Sequence, residues 1–248
     1  MKIFLDVGAH EGQTLQSVID PKYGFDRIFV FEPVKKLHNQ LNKIAGGKKN
    51  ITLLDYGLWN KNAIQKIYSP GTVAGSLFAT HKNVDENDFE LCRFVSASEW
   101  FNSNIHNQDK VYVKLNCEGA EADILLDLLS SKQIFKITDV MIDFDVRKVG
   151  GLENMQQVVL DNFEKNDFKR YSLCEDVMRG PSSITRIQNW LDNTGAKETG
   201  IKTRFNQFFY WIKMVALGKR PGYDWEVKHF IKFHTPMFLL KILGARRN

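Results

Sequence analysis

Apolar runs of strand length take turns with amphipathic runs of helix length through the first 170 residues, and that alternation leaves few folds open. KIFLDV (2–7) reads as a buried strand, and residues 12–20 as a short helix closed by Pro21. RIFVFEP (27–33) is a second strand, followed by a helix over 34–44 that stops at Gly46 and Gly47. ITLLDYGLW (51–59) reads as a third strand and AIQKIYS (63–69) as an extra one. Residues 71–88 form a polar loop, and RFVSASEWF (93–101) a short strand running into a turn. VYVKLNCEG (111–119) is a fourth core strand, residues 120–131 a helix, and ITDVMIDFD (137–145) a fifth strand. A helix over 155–168 and KRYSLCE (169–175) complete the pattern.

Strands separated by helices require right-handed crossovers, so the sheet is mostly parallel with helices on both faces. Ligands of such sheets bind beyond the carboxyl ends of the strands, where the strand order reverses. Asp6, Glu32, Asp55, Asn116 and Asp143 each close an expected strand, which gathers five polar groups along one edge.

The first of those ends is the most informative. In IFLDVGAHEGQT (3–14), two glycines bracket three residues between a strand and a helix. Gly8 lets the backbone approach a ligand without a Cβ in the way, and Gly12 lets the helix start close by. The free N–H groups of that helix start favour an anion. The spacing is neither G-x-G-x-x-G nor a P-loop, so no pyrophosphate cradle is evident. Glu32 is placed to accept both hydroxyls of a ribose. An adenosine-like ligand with a carboxylate suits this set, and S-adenosylmethionine is such a ligand. Its amino group would face the Asp6 edge of the turn, its carboxylate the helix start and its ribose Glu32. A purely structural turn with a solvated acid is the competing reading.

The chain resembles the FkbM-type S-adenosylmethionine-dependent methyltransferases. The matching pieces come in the family's order: FLDVGAHEGQT, VFEP, GSLF (75–78), VSASEWF (95–101) and VKLNCEGAEADIL (113–125), covering about residues 3 to 145. The resemblance implies a Rossmann-like class I methyltransferase fold, with a mostly parallel seven-stranded sheet, and methyl transfer to a hydroxyl on a sugar or polyketide. By position, Asp6, Gly8, His10, Gly12, Gln13 and Thr14 would line the methionine end, and Glu32 would hold the ribose. Gly57 and Leu58 would border the adenine, and Ser76 would reach the cofactor or acceptor. The family usually has Asp where this chain has Asn116. Asn can orient a hydroxyl or an ammonium but cannot take a proton, so Glu118 is the favoured base, with His10 and Asn116 as the other catalytic candidates. Glu118 and Glu121 also read as a carboxylate pair at a helix start. Asp143 and Asp145 would contact the acceptor or a metal, although no ligand cluster is evident.

Composition sets the remaining bounds. The 248 residues, 43% of them hydrophobic, suffice for a sizeable core. Three scattered cysteines imply reduced thiols and a cytoplasmic setting. The formal charge of +5 is uneven, because residues 201–248 carry ten Lys/Arg against two Asp/Glu. A methyltransferase domain is therefore expected over 1–180, with a basic, aromatic helical extension over 181–248. Aromatic residues beside cations suit peripheral membrane contact, or packing on the enzyme domain or a second subunit; a nucleic-acid partner is not expected. The expected activity is O-methylation of a saccharide or glycolipid-type acceptor. A catalytically degenerate scaffold and a dinucleotide-dependent oxidoreductase are the alternatives.

Overall fold

A computed structural model describes residues 1–72, 75–82, 84–177 and 182–197. Of the extension expected over 181–248, residues 182–197 are described, and the basic aromatic segment 201–248 lies outside the described residues. The chain divides into two compact units, one of Met1–Val18 with Phe25–Trp190, the other of Ile19–Gly24 with Leu191–Asn248. In the second unit, Lys22 N–H donates to Asp20 Oδ1 (2.9 Å), and the Lys22 ammonium lies 3.5 Å from Asp192 Oδ2.

The first unit runs β1 (Lys2–Val7), α1 (Gln13–Val18), β2 (Arg27–Phe31), α2 (His38–Ala45), β3 (Ile51–Leu54), β4 (Gly57–Trp59), β5 (Ala63–Tyr68), β6 (Phe89–Ser96) and α3 (Ala97–Asn104). It continues with β7 (Lys110–Leu115), α4 (Glu121–Ser130), β8 (Ile137–Ile142), α5 (Met155–Lys165), β9 (Tyr171–Leu173), α6 (Cys174–Val177) and α7 (Ser183–Asn193), whose last turn passes into the second unit. The main sheet has the order β3-β2-β1-β7-β8-β9, with every pair parallel. This is the Rossmann-like α/β order, with its reversal between β1 and β7. The expected seventh strand is not part of this sheet among the described residues.

Alternation along β1 explains the two faces. Ile3, Leu5 and Val7 join a core with Trp100 and Phe101 of α3, Leu125 and Leu128 of α4, and Val159 and Phe163 of α5. Trp100 sits edge-on between Phe29 and Phe31, with ring centroids 5.0 Å from each. Phe4 points the other way, against Phe25 and Trp190.

Two expected elements are corrected. The single strand over 51–59 is two strands in different sheets, broken at Asp55 and Tyr56. β4 leaves the main sheet to pair with β6, forming a second sheet of order β4-β6-β5. Gly57 permits the crossing, because a Cβ there would stand 2.4 Å from the Phe94 ring. The turn expected near residue 101 is instead helix α3. Ser96 Oγ caps it by accepting Glu99 N–H (3.3 Å), and the Asp127 carboxylate of α4 accepts Ser98 N–H (2.8 Å). The S-x-x-E spacing of Ser96 and Glu99 carries this cap.

Candidate functional site

The turn after β1 is fixed from both sides. Gly8 and Ala9 N–H donate to Phe31 O at the end of β2, and Asn116 N–H donates to Val7 O. Gly8 has φ +78°, and a Cβ on it would lie 1.9 Å from Asn116 O. Only glycine fits there. Gly12 (φ +83°) serves packing instead, since its Cβ would meet Ile44 and Leu41 of α2 at 2.7 and 2.9 Å. His10 is also left-handed (φ 48°), which turns its N–H onto Glu32 Oε2 at 2.8 Å. Val34 N–H takes Glu32 Oε1 at 2.9 Å. Burial pushes the Glu32 carboxyl up, and those two N–H groups pull it back. Each oxygen keeps a lone pair for a further donor.

A cavity of about 320 Å³ opens at this edge. Of the expected site residues, Gly8, His10, Gln13, Thr14, Glu32, Gly57, Leu58, Asn116 and Glu118 line it. Asp6, Gly12 and Ser76 do not. Asp6 is fully buried beneath the turn, 3.5 Å from the Lys114 ammonium; desolvation raises its pKa while Lys114 lowers it. Ser76 is also buried, and its hydroxyl donates to Glu118 O, so it pins the loop to the site rather than facing the cavity. Asp55, the exposed one of the five strand-end polar groups, also lies outside the lining.

Glu118 and Glu121 separate into two roles. Glu121 is a buried staple whose carboxylate accepts the N–H groups of Cys117 (2.7 Å), Gly119 (3.1 Å) and Val146 (3.2 Å). Burial pushes it up to about 7 against those donors. Glu118 (φ 50°) stands at the cavity wall, with Oε2 3.5 Å from His81 Nε2 and 3.8 Å from the Lys148 ammonium. Burial and the neighbouring Asp145 push it up to about 8, while Lys148 pulls it down. His81 is held below its usual pKa, first by burial and then by Lys148. Asn116 Nδ2 donates to Asp143 Oδ2 at 3.2 Å. Burial pushes the Cys174 thiol up to about 12 and Cys117 well above its usual value, which leaves both as thiols rather than nucleophiles.

No protein-family model and no curated protein matches the sequence. Among solved structures, the chain is similar to one described as a crystal structure of Methyltransferase FkbM from Methylobacillus flagellatus KT. The identity is 16%, the TM-score 0.35, and the match covers 53% of this chain. The chain spans 30% of that protein's length. The chemistry of the site rests on the cavity residues themselves.

Lys114, His81 and Lys148 are cationic or titratable groups of the site that the sequence did not single out. Lys114 had a signal, a lysine inside an apolar strand, where Asp6 is its direct cross-strand neighbour. His81 had none, because it arrives on an irregular loop bridged to Val149. Among the described residues, no group of three His, Cys, Asp or Glu is arranged to hold a metal, and no helix is long and apolar enough to cross a membrane.

The donor set fits a nucleoside joined to an amino acid. A carboxylate with spare lone pairs matches a vicinal diol, and Lys114 and Asp143 line the same cavity as a cationic and an acidic side chain. The buried His10 Nε2 has no hydrogen-bond partner, which leaves a polar atom at the same wall for a ligand to satisfy.

Proposed function

We propose that this chain is an S-adenosylmethionine-dependent O-methyltransferase whose acceptor is a saccharide or glycolipid-type hydroxyl. The observation that carries the donor is the locked pair of turn and acid: His10 N–H on Glu32 fixes a ribose-reading carboxylate beside the glycine turn at the sheet's reversal point. Gly57 and Leu58 border the adenine end, and Asn116 the methionine end.

When bound, the donor supplies a methyl group on a sulfonium, and positioning contributes much of the rate of such an in-line displacement. The protein's own task is to hold the hydroxyl and accept its proton. Glu118 does so in its ionised form, because its carboxylate stands at the cavity wall and Lys148 is close enough to favour the charge. Activity should then rise with pH towards about 8, as Glu118 loses its proton. By its composition, the basic aromatic segment 201–248 contacts anionic lipid, placing the enzyme near a lipid-linked acceptor at the inner face of a membrane.

Titration calorimetry with S-adenosylhomocysteine and with NAD tests the donor. Binding of the first alone is expected, and binding of NAD alone would replace this reading with a dinucleotide enzyme. Radiolabelled methyl transfer into a panel of deoxysugars tests the reaction; donor binding with no transfer to any hydroxyl would favour a scaffold. Liposome co-sedimentation with and without residues 201–248 tests the tail, and equal binding by both forms would remove it.

A further inference from the structure

A zwitterionic head group needs one fixed cation and one fixed anion, and the elements expected to supply them do not. Asp6 is buried below the turn and outside the cavity lining. Helix α1 has only six residues, too few for a developed dipole. Glu32 is committed to two backbone N–H groups at the nucleoside side. Glu118 keeps company with His81, Lys148 and Asp145.

The strands past the reversal point offer a different pair. Lys114 of β7 pairs in register with Met141 of β8, and two residues further on stand Asn116 and Asp143. Side chains two apart share a face, so Lys114, Asn116, Met141 and Asp143 form one patch, and all four line the cavity. The Lys114 ammonium donates to Gly8 O at 2.6 Å, next to the turn, and more loosely to Val7 O at 3.5 Å, with Asp6 Oδ1 also 3.5 Å from it. Asn116 Nδ2 donates to Asp143 Oδ2 at 3.2 Å, and the Cys174 thiol also hydrogen-bonds the Asp143 carboxylate, so two side chains fix its orientation at the cavity wall. Burial and Asp145 raise the Asp143 pKa, and an acid at position 116 would raise it further, whereas the amide supplies a donor.

Resting on the donor reading above, we propose that Lys114 and Asp143 read the amino-acid head of the donor, with Asp143 taking its ammonium and Lys114 its carboxylate. Asn116 is the positioning residue for Asp143.

Three nucleosides test this in calorimetry on the full chain: S-adenosylhomocysteine, its analogue lacking the carboxylate, and 5′-methylthioadenosine, which has no head group. Asp143→Asn, which preserves shape, should weaken S-adenosylhomocysteine and the decarboxylated analogue about ten- to hundredfold. Lys114→Met also removes the partner of buried Asp6, so it is read as a ratio and should weaken S-adenosylhomocysteine at least about tenfold more than the decarboxylated analogue. Asp143→Asn should bind methylthioadenosine within about twofold of the parent, which also reports an intact fold. Unchanged S-adenosylhomocysteine affinity in Asp143→Asn overturns the proposal, and so does a parallel loss of methylthioadenosine. A fall in methyl transfer with donor affinity unchanged would reassign Asp143 to the acceptor. If the parent binds none of the three, the donor reading itself fails.

Discussion

Gly8 and Glu32 show how single positions carry both structure and ligand. At Gly8 a methyl group would meet Asn116 O at 1.9 Å on a left-handed backbone. Gly8→Ala should therefore cost about 2–4 kcal/mol in denaturant unfolding, from strain plus overpacking, and lower donor affinity as β1 and β7 separate. At Glu32, removing the carboxylate strands the N–H groups of His10 and Val34. Glu32→Ala should cost about 1–3 kcal/mol of stability and weaken S-adenosylhomocysteine by roughly tenfold or more. Calorimetry showing full affinity would mean the ribose lies elsewhere.

At the scale of elements, α3 and α4 are joined by a carboxylate rather than by apolar packing alone. Asp127 of α4 accepts both the N–H and the hydroxyl of Ser98 (2.8 and 2.9 Å), and the Ser96 hydroxyl at 3.3 Å. It thus acts as a second cap on α3, supplied from another helix. Asp127→Ala should destabilise the protein by about 1–3 kcal/mol, seen in urea unfolding, with donor affinity kept because the pair lies away from the cavity. A loss of binding with stability unchanged would contradict that role. The small sheet is tied in similarly: Trp59 of β4 donates to Asp123 of α4 at 2.7 Å, which brings Gly57 and Leu58 to the cavity.

Across the first unit, the buried acids make stability depend on pH in a definite direction. Glu121 and Glu118 hold their protons in the folded chain up to about 7 and 8, against an ordinary value of 4.5. Between pH 4.5 and those values the native state binds more protons than the unfolded one, so stability falls as pH rises. The midpoint of thermal unfolding should drop from pH 5 to pH 8, with a shallower slope in Glu121→Gln. A rising midpoint would contradict this. Donor binding acts on the same equilibrium: at a hundredfold excess over Kd, S-adenosylhomocysteine should raise Tm by roughly 5–10 °C.

The sequence by itself determined the alternating α/β order, the parallel sheet and the glycine turn, because these follow from local periodicity and from backbone angles that only glycine adopts freely. Asp6, Glu32, Asn116 and Asp143 at strand ends were legible for the same reason. What those side chains face was decided by the tertiary structure. The break at Asp55 and Tyr56 depended on where β6 lay, since one apolar run can serve either sheet. Asp6 went under the turn because its cross-strand neighbour Lys114 is there to meet it, and Glu121 became a staple because three N–H groups converge on it. The direction of a carboxylate is set by partners distant in the chain, and periodicity holds no information about them.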